Sequence, residues 1–237
     1  MIDRGGSGGY TQRAEVIFMS FANYFPIWNK LTTSQQEHIS AMSQFRKVEA
    51  GTVLHDGGVD CLGLLLVRSG QLRAYILSDE GREITINRFF EMDICVFSAS
   101  CVMPNMQFDI VVEAEKDSEL WIIPACLYRN LMDESLAVSN YSNNLMMTHF
   151  SELMWLVEQV MWKSFDKRLA KFLVEESLLE GTPLLKITHE KIANHMGTAR
   201  EVVTRMLRYF QSEGMVRLTR GTVELLDRKA LERLGED

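Results

Sequence analysis

One stretch of the sequence decides how the C-terminal part of the chain folds: His189-Glu-Lys-Ile-Ala-Asn-His-Met-Gly-Thr-Ala-Arg-Glu-Val-Val-Thr-Arg-Met-Leu-Arg208. Two short helices that cross at a tight turn need a small residue where they approach and a turn residue that tolerates a left-handed backbone. Ala193 and Gly197 stand at those places. The stretch predicts a helix-turn-helix, with apolar contacts from Ile192 and Met196 on the first helix and from Val203, Met206 and Leu207 on the second.

Polar residues mark where both helices are expected to begin. Thr188 is placed to cap the first helix. Thr198 and Glu201 have the Thr-x-x-Glu spacing of a capping box, in which each side chain bonds the backbone N–H of the other residue. We therefore expect this box to open the second helix.

The first half of the second helix carries side chains suited to reading base pairs. A helix of this kind lies in the major groove and contacts base edges with its N-terminal residues. Arg binds guanine O6 and N7 in a bidentate manner, and Glu accepts from cytosine N4, although Glu201 has a competing role as a cap. The predicted base-reading residues are Arg200, Glu201, Thr204 and Arg205, and the predicted phosphate contacts are Thr198, Arg208 and Arg220.

The residues that follow predict a wing. Gly214 is placed to end the second helix, and Arg220-Gly221 is placed in the turn of a β-hairpin formed by residues 211–226. Together with the preceding helices, this hairpin makes a winged helix-turn-helix.

The charge of the chain is unevenly distributed. The formal net charge is −7, which by itself argues against binding to nucleic acid. Residues 186–220, however, hold seven Lys or Arg against three Glu, a local net charge of +4. Such a segment suits contact with phosphates, although a solvated protein face would have the same composition.

The middle of the chain has the sequence pattern of a β domain. Between Gly51 and Ile123, short apolar or alternating segments are separated by turn signals such as Asp56-Gly57-Gly58 and Ser69-Gly70. Many short strands at this spacing are typical of an antiparallel barrel or roll. Residues 22–45 before it are predicted to form short helices, the second capped by Thr33 or Ser34.

A long amphipathic helix is predicted between the two parts. Apolar residues recur at spacings of 3, 4, 3 and 4, which is the a/d seam of a helix that packs against a second copy of itself. A single wide stripe buried within a monomer is the alternative. The predicted seam consists of Met147, Phe150, Met154, Val157 and Met161.

Several segments in this order resemble the Crp/Fnr family, that is, regulators related to the cyclic-AMP receptor protein and the fumarate-nitrate reductase regulator. They are Gly51-Thr-Val-Leu, Leu66-Val-Arg-Ser-Gly70, Asp79-Glu-Gly-Arg-Glu83, Phe165-Asp-Lys-Arg-Leu-Ala170 and the segment 197–205. The resemblance implies an α+β fold with a cyclic-nucleotide-binding-like β-roll (a jelly roll), a long dimerisation helix and a winged helix-turn-helix. It also matches Arg200, Glu201 and Arg205 to the base-reading positions of the cyclic-AMP receptor type, which implies a half-site of the TGTGA kind in an inverted repeat.

The sensor part departs from that family pattern. In the cyclic-nucleotide binders, a Gly-Asp and a Gly-Glu pair precede an Arg-Ser or Arg-Thr that grips the phosphate. Here Met92-Asp93 replaces the first pair, Val96 and Phe97 replace the second, and residues 107–109 hold no arginine. Because the charge-assisted phosphate contact is missing, we predict an effector other than cyclic AMP, neutral or apolar, in a pocket formed by Phe97, Ser98, Ser100 and Phe108.

The cysteines and histidines leave a weaker redox alternative open. Cys61 is the first of the four cysteines, so the N-terminal cysteine cluster of the iron-sulfur type is missing. Cys95, Cys101 and Cys126 would then be buried small hydrophobes or, alternatively, a thiol or iron redox sensor. His55 and His149 are the candidates for haem ligation, whereas His38, His189 and His195 are expected at the surface or at caps.

The sequence as a whole predicts a cytoplasmic homodimeric regulator of transcription. It binds double-stranded DNA at an inverted-repeat operator, with RNA polymerase considered as a further partner. No apolar run is long enough for a membrane span, no enzyme motif is present, and no cofactor or metal is expected to be required. A constitutive DNA-binding regulator with a structural β-roll is the rival hypothesis. The predicted boundaries are a flexible leader 1–20, the sensor 21–134, the dimerisation helix 135–163 and the DNA-binding domain 164–237.

Overall fold

The strands of the N-terminal part pair as the spacing of its turn signals predicts. The structure, a computed structural model, describes residues 21–57, 61–99 and 109–236, so the predicted leader lies outside the described residues. One antiparallel sheet has the strand order β1-β8-β3-β6 and a second has the order β2-β7-β4-β5. The strands are β1 (Gln44–Val48), β2 (Val53–Asp56), β3 (Leu64–Ser69), β4 (Leu72–Leu77), β5 (Glu83–Phe89), β6 (Ile94–Cys95), β7 (Ile110–Ala114) and β8 (Ser118–Ile123).

Strand β1 begins at Gln44, within residues 22–45 that were predicted to form short helices, and so corrects the end of that range. The helix α1 (Thr33–Met42) ends before β1 begins, and β1 pairs with β8, with Phe45 opposite Trp121. The strand is mostly exposed and rich in charge, so it lacks the apolar alternation by which strands are found in a sequence. The cap of α1 is also displaced by one residue, because Thr32 and Gln35 form the capping box.

The core of this part is aromatic at one side of the first sheet. The ring of Trp121 lies 5.4 Å from Phe21, 5.4 Å from Tyr24 and 5.6 Å from Phe45, measured between centroids. Apolar rings at such distances bury large areas and add favourable edge-to-face contacts. The cluster fixes the residues before α1 against β1 and β8.

Two arginines of the second sheet have carboxylate partners, and one of them, Arg73, is buried. Arg73 on β4 lies 3.0 Å from Glu113 on β7, and the Arg73 side chain is only 5% exposed. Arg88 on β5 lies 3.0 Å from Glu115, which also accepts from the side-chain amide of Gln71 at 2.7 Å. A buried charge is tolerated only when it is paired and hydrogen-bonded in this way.

Helices follow the β-roll. They are α2 (Ala125–Glu134), α3 (Leu136–Trp162), α4 (Phe165–Leu179), α5 (His189–Met196), α6 (Arg200–Ser212) and α7 (Arg228–Glu236). A three-stranded sheet of order β10-β11-β9 accompanies the last helices, with β9 (Leu184–Leu185), β10 (Val216–Thr219) and β11 (Thr222–Leu225). The predicted fold class, a β-roll, a long helix and a winged helix-turn-helix, is confirmed. Helix α7 was not predicted; it is short, and its buried residue Leu231 packs into the same core as Leu207.

The chain forms two compact units whose limits differ from the predicted boundaries. The first holds the described residues up to Ala74 together with Asn87–His149. The second holds Tyr75–Ile86 together with the described residues from Phe150 onward. The hairpin between β4 and β5 therefore belongs to the unit of the helix-turn-helix, and α3 is shared by both units. None of the helices in the described ranges is long and apolar enough to cross a membrane.

The buried pair of Arg73 and Glu113 allows a direct test of this packing. Replacing Glu113 with Gln should lower the free energy of unfolding by about 2 kcal/mol, because it removes a counter-charge from a buried guanidinium. Replacing Glu232 with Gln removes an exposed i,i+4 partner of Arg228 and should cost about 0.3–0.5 kcal/mol. Urea unfolding of both variants measures the difference, and equal losses would contradict a buried charge at Arg73.

Candidate nucleic-acid interface

Two helices meet at the turn that the sequence predicted. Gly197 ends α5 in the left-handed region, with φ of 64°, which confirms the requirement for glycine at this position. Ala193 is 2% exposed and lets the helices approach closely. The contact is apolar and buried, and it includes Ile192, Met196, Val203, Leu207 and Phe210.

The caps of the two helices differ from each other. Thr188 accepts a hydrogen bond from the backbone N–H of Lys191 at 3.1 Å, so its predicted cap is confirmed. The predicted capping box of Thr198 and Glu201 is wrong. Helix α6 begins at Arg200, and its N-cap is Ala199, which has no side-chain cap. The backbone N–H of Thr198 bonds the carbonyl of Ala193, so Thr198 belongs to the turn that closes α5 and does not cap α6.

Three of the predicted base-reading residues are exposed on α6. Arg200, Glu201 and Arg205 lie in its first half with solvent-accessible side chains, and within the described ranges none of them forms an ion pair. Side chains at positions i, i+1 and i+5 of a helix lie along one broad face. These residues are therefore available to a partner.

Thr204 has a different environment from the other three. Its hydroxyl lies 2.9 Å from the carbonyl oxygen of Arg200 and 2.9 Å from Nδ1 of His189. A hydroxyl that is occupied by two protein partners is poorly placed to read a base edge. Its role as a base reader stays a prediction that this geometry does not favour.

The predicted phosphate contacts lie on three elements of the same unit. Arg208 is exposed on α6, and Arg220 is exposed in the turn between β10 and β11. The wing is attached to α6 through the side-chain oxygen of Gln211, which accepts from the backbone N–H of Leu218 at 3.1 Å. Thr198 is half-buried in the turn. In the wing, Arg217 is paired with Glu224 at 3.0 Å.

The hairpin of residues 75–86 contributes contacts to this unit that the sequence did not predict. Ile84 forms a β-bridge with Met196, and its side chain covers the turn, so that a Cβ at Gly197 would lie 3.1 Å from Ile84 Cδ1. Thr85 Oγ1 lies 2.9 Å from Nδ1 of His195. The sequence predicted His195 at the surface or at a cap, and this is wrong, because His195 is buried. It packs between this hairpin and the ring of Phe172, 5.5 Å away.

The predicted effector pocket is described only in part. Phe97 and Ser98 are buried, while Ser100 and Phe108 lie outside the described residues. The hydroxyl of Ser98 donates to the carbonyl of Gly63 at 2.7 Å. Phe97 lies 5.3 Å from the ring of His149 on α3. Met92, which replaces a glycine of the family pattern, has a φ of 71°, so the backbone keeps the conformation that glycine would supply.

The thiols and imidazoles of the described residues offer little support for a redox metal site. No group of three His, Cys, Asp or Glu suited to a metal ion occurs within the described ranges. Burial raises the pKa of the Cys95 thiol to about 12, which keeps it protonated and unreactive. Cys126, expected from the sequence to be buried, is instead an exposed free thiol. His149 accepts a hydrogen bond from the side-chain amide of Asn87 at 2.9 Å.

The predicted seam of α3 is exposed. Met147, Phe150, Met154, Val157 and Met161 have exposed fractions between 46% and 66%. The alternative that one monomer buries this stripe is not supported by these values. An apolar stripe of this length facing water marks an interaction surface.

Comparison with known proteins identifies both parts of the chain. A family model described as a Crp-like helix-turn-helix domain matches residues 167–234, and one described as a cyclic nucleotide-binding domain matches residues 45–135. A crystal structure from Eubacterium rectale, described as a transcriptional regulator of the Crp/Fnr family, is 60% identical with a TM-score of 0.89. The match covers 91% of this chain and 100% of that chain.

Two regulators from Thermus thermophilus are more distant relatives. The cyclic AMP receptor protein is 25% identical over 211 residues, which are 89% of this chain and 96% of that protein. The transcriptional regulator SdrP is 34% identical over 86 residues, which are 34% of this chain and 43% of that protein. The family suggested by the sequence motifs is confirmed.

The turn at Gly197 yields a prediction with a matched control. Gly197→Ala and Gly181→Ala both place a side chain on a residue with φ near +65°, which costs about 1 kcal/mol. At Gly181 nothing lies within 4 Å of the added Cβ, whereas at Gly197 it meets Ile84. Gly197→Ala should therefore cost about 1 kcal/mol more in thermal or urea unfolding.

The source of that extra cost is tested by a second substitution. In the Ile84→Ala background, Gly197→Ala should lower the free energy of unfolding only as much as Gly181→Ala does in the wild-type protein. The comparison is between the double variant and Ile84→Ala alone. Equal costs at Gly197 and Gly181, or no coupling between positions 84 and 197, would contradict the close contact.

Proposed function

We propose that this chain, which belongs to the Crp/Fnr family of DNA-binding transcription regulators, acts as a homodimer on an inverted-repeat operator under the control of a small-molecule effector. The observation that carries the proposal is the exposure of Arg200, Glu201 and Arg205 along the first half of α6, within a helix-turn-helix. Their chemistry matches a guanine and a cytosine in the major groove. Arg208 and Arg220 are placed to hold the phosphates on either side.

The exposed seam of α3 supports a homodimer. Two copies that join their seams remove the apolar stripe from water and give a two-fold symmetric pair of recognition helices. Such a pair fits half-sites one helical turn apart, roughly 34 Å. A palindromic operator follows from that symmetry.

The effector is proposed to be neutral or apolar. At the positions where a cyclic-nucleotide binder presents groups to the phosphate and sugar, this chain has Val96 and Phe97, both buried. Phe97 contacts His149, so a ligand that displaces Phe97 would act directly on α3. An effector shifts the equilibrium only if it binds one geometry of the dimer better than the other.

Binding of cyclic AMP provides one test. Isothermal titration of the protein with cyclic AMP is expected to give no saturable heat, because residues 107–109, where the family pattern has the phosphate-binding arginine, hold none. The affinity of the purified protein for its operator, measured without any small molecule, distinguishes an effector-controlled regulator from a constitutive one. Nanomolar specific binding in the absence of any small molecule would support a constitutive regulator whose β-roll is structural.

The base-reading role of Arg205 is tested by its removal. Arg205→Ala should cost about 1–3 kcal/mol in binding to the specific duplex while leaving non-specific binding nearly unchanged. Arg233→Ala is the matched control, since Arg233 is exposed on α7 outside the helix-turn-helix. Fluorescence anisotropy on a duplex selected from random sequence measures both. An equal loss on all sequences would make Arg205 a phosphate contact.

The seam is tested by a charge in its centre. Met154→Glu should shift the protein toward monomer in analytical ultracentrifugation, because two carboxylates would be buried against each other across the interface. Thr148→Glu adds the same charge at an exposed position on the opposite side of α3 and should leave the dimer intact. A dimer that survives Met154→Glu would place the interface elsewhere.

A further inference from the structure

His189 connects the two helices of the helix-turn-helix at the start of the recognition helix. It is the first residue of α5, and its Nδ1 lies 2.9 Å from the hydroxyl of Thr204 on α6. That hydroxyl lies 2.9 Å from the carbonyl oxygen of Arg200. A carbonyl only accepts, so the hydroxyl donates to Arg200 and its oxygen accepts from Nδ1–H of His189. The imidazole Nε2 is then the atom whose protonation can change.

The start of the recognition helix is stabilised by these hydrogen bonds, because it lacks a side-chain cap. Its N-cap is Ala199, which supplies no side-chain acceptor for the first turn, and an uncapped helix start frays more readily. The bonds from His189 to Thr204 and from Thr204 to Arg200 tie the first turn of α6 to α5. They therefore fix the backbone that carries Arg200 and Glu201.

The charged groups that act on His189 are Arg200 and Arg208, to which the proposed function assigns contacts with DNA. Burial lowers the pKa of His189, and the positive charges of Arg200 and Arg208 lower it further. On its own helix the adjacent charged residues are Glu190 and Lys191, which have opposite signs. Without DNA, the imidazole is therefore neutral near pH 7, next to two exposed guanidinium groups.

We propose that His189 is a positioning residue of the interface, which holds the recognition helix through Thr204 and takes up a proton when a DNA phosphate approaches Arg200 and Arg208. The inference rests on the proposed function. A phosphate offsets the two guanidinium charges and favours a charged imidazole, whose Nε2–H becomes a further donor. Nδ1 keeps its proton in both states, so the bond to Thr204 is retained.

The sign of the resulting pH dependence follows from linkage. The pKa of His189 is low in free protein and higher in the complex, so the complex binds more protons between the two values. The dissociation constant should therefore rise with pH in that window, by up to about tenfold per pH unit for each protomer. Above the window both states carry a neutral imidazole, and this contribution to affinity is lost.

The experiment uses the full-length protein and a duplex selected from random sequence. Isothermal titration in two buffers of different ionisation enthalpy measures proton uptake, and anisotropy from pH 5.5 to 8.5 measures affinity. His189→Asn places an amide N–H near the position of Nδ1 but does not titrate, so uptake should fall by up to about one proton per protomer while affinity at high pH is kept. Circular dichroism confirms that each variant is folded.

Thr204 separates positioning from proton uptake. Thr204→Val, which has the same shape without a hydroxyl, should weaken specific binding about tenfold at every pH, and Thr204→Ser should restore it. Proton uptake that persists in His189→Asn, or specific affinity that is unchanged in Thr204→Val, would overturn the inference. If no duplex is bound in preference to random sequence by the wild-type protein, the proposed function itself fails.

Discussion

The close approach of backbone to side chain at Gly197 is the constraint on which the DNA-binding unit depends. A left-handed residue is required there because α5 and α6 are joined by only three residues, and an added Cβ would lie in tight contact with Ile84. Ile84 lies on one side of the turn, and Ala193 permits the helices to approach on the other.

The same unit shows how buried polar groups support exposed ones. Thr204 and His195 look like surface residues in the sequence. The hydroxyl of Thr204 is hydrogen-bonded to His189, and the imidazole of His195 is hydrogen-bonded to Thr85. Arg200 and Arg205, the predicted base-reading arginines, form no ion pair in the described part of the chain. In a protein with a formal net charge of −7, residues 186–220 hold seven Lys or Arg against three Glu, so positive charge is concentrated in this unit.

In the sensor, charged and aromatic side chains are engaged with one another. The second sheet uses Arg73 and Arg88 internally, with Glu113 and Glu115 as their partners. Phe97 packs on His149 where a nucleotide binder would present polar groups. Because His149 belongs to α3, the contents of the roll and the long helix are in direct contact.

The sequence by itself determined the elements whose signals are local. Glycine at a left-handed turn, Thr188 at a cap, the 3, 4, 3, 4 seam and the spacing of β-turns each depend on neighbouring residues, so the helix-turn-helix, the long helix and the roll could be predicted. Only the tertiary structure decided the rest. The charged strand β1, the burial of His195 against Thr85, the pairing of Arg73 with Glu113 and the use of Thr204 by His189 join residues that are between 15 and 110 positions apart. Local propensity contains no information on such pairs, and their energies arise from burial, which exists only after the chain has folded.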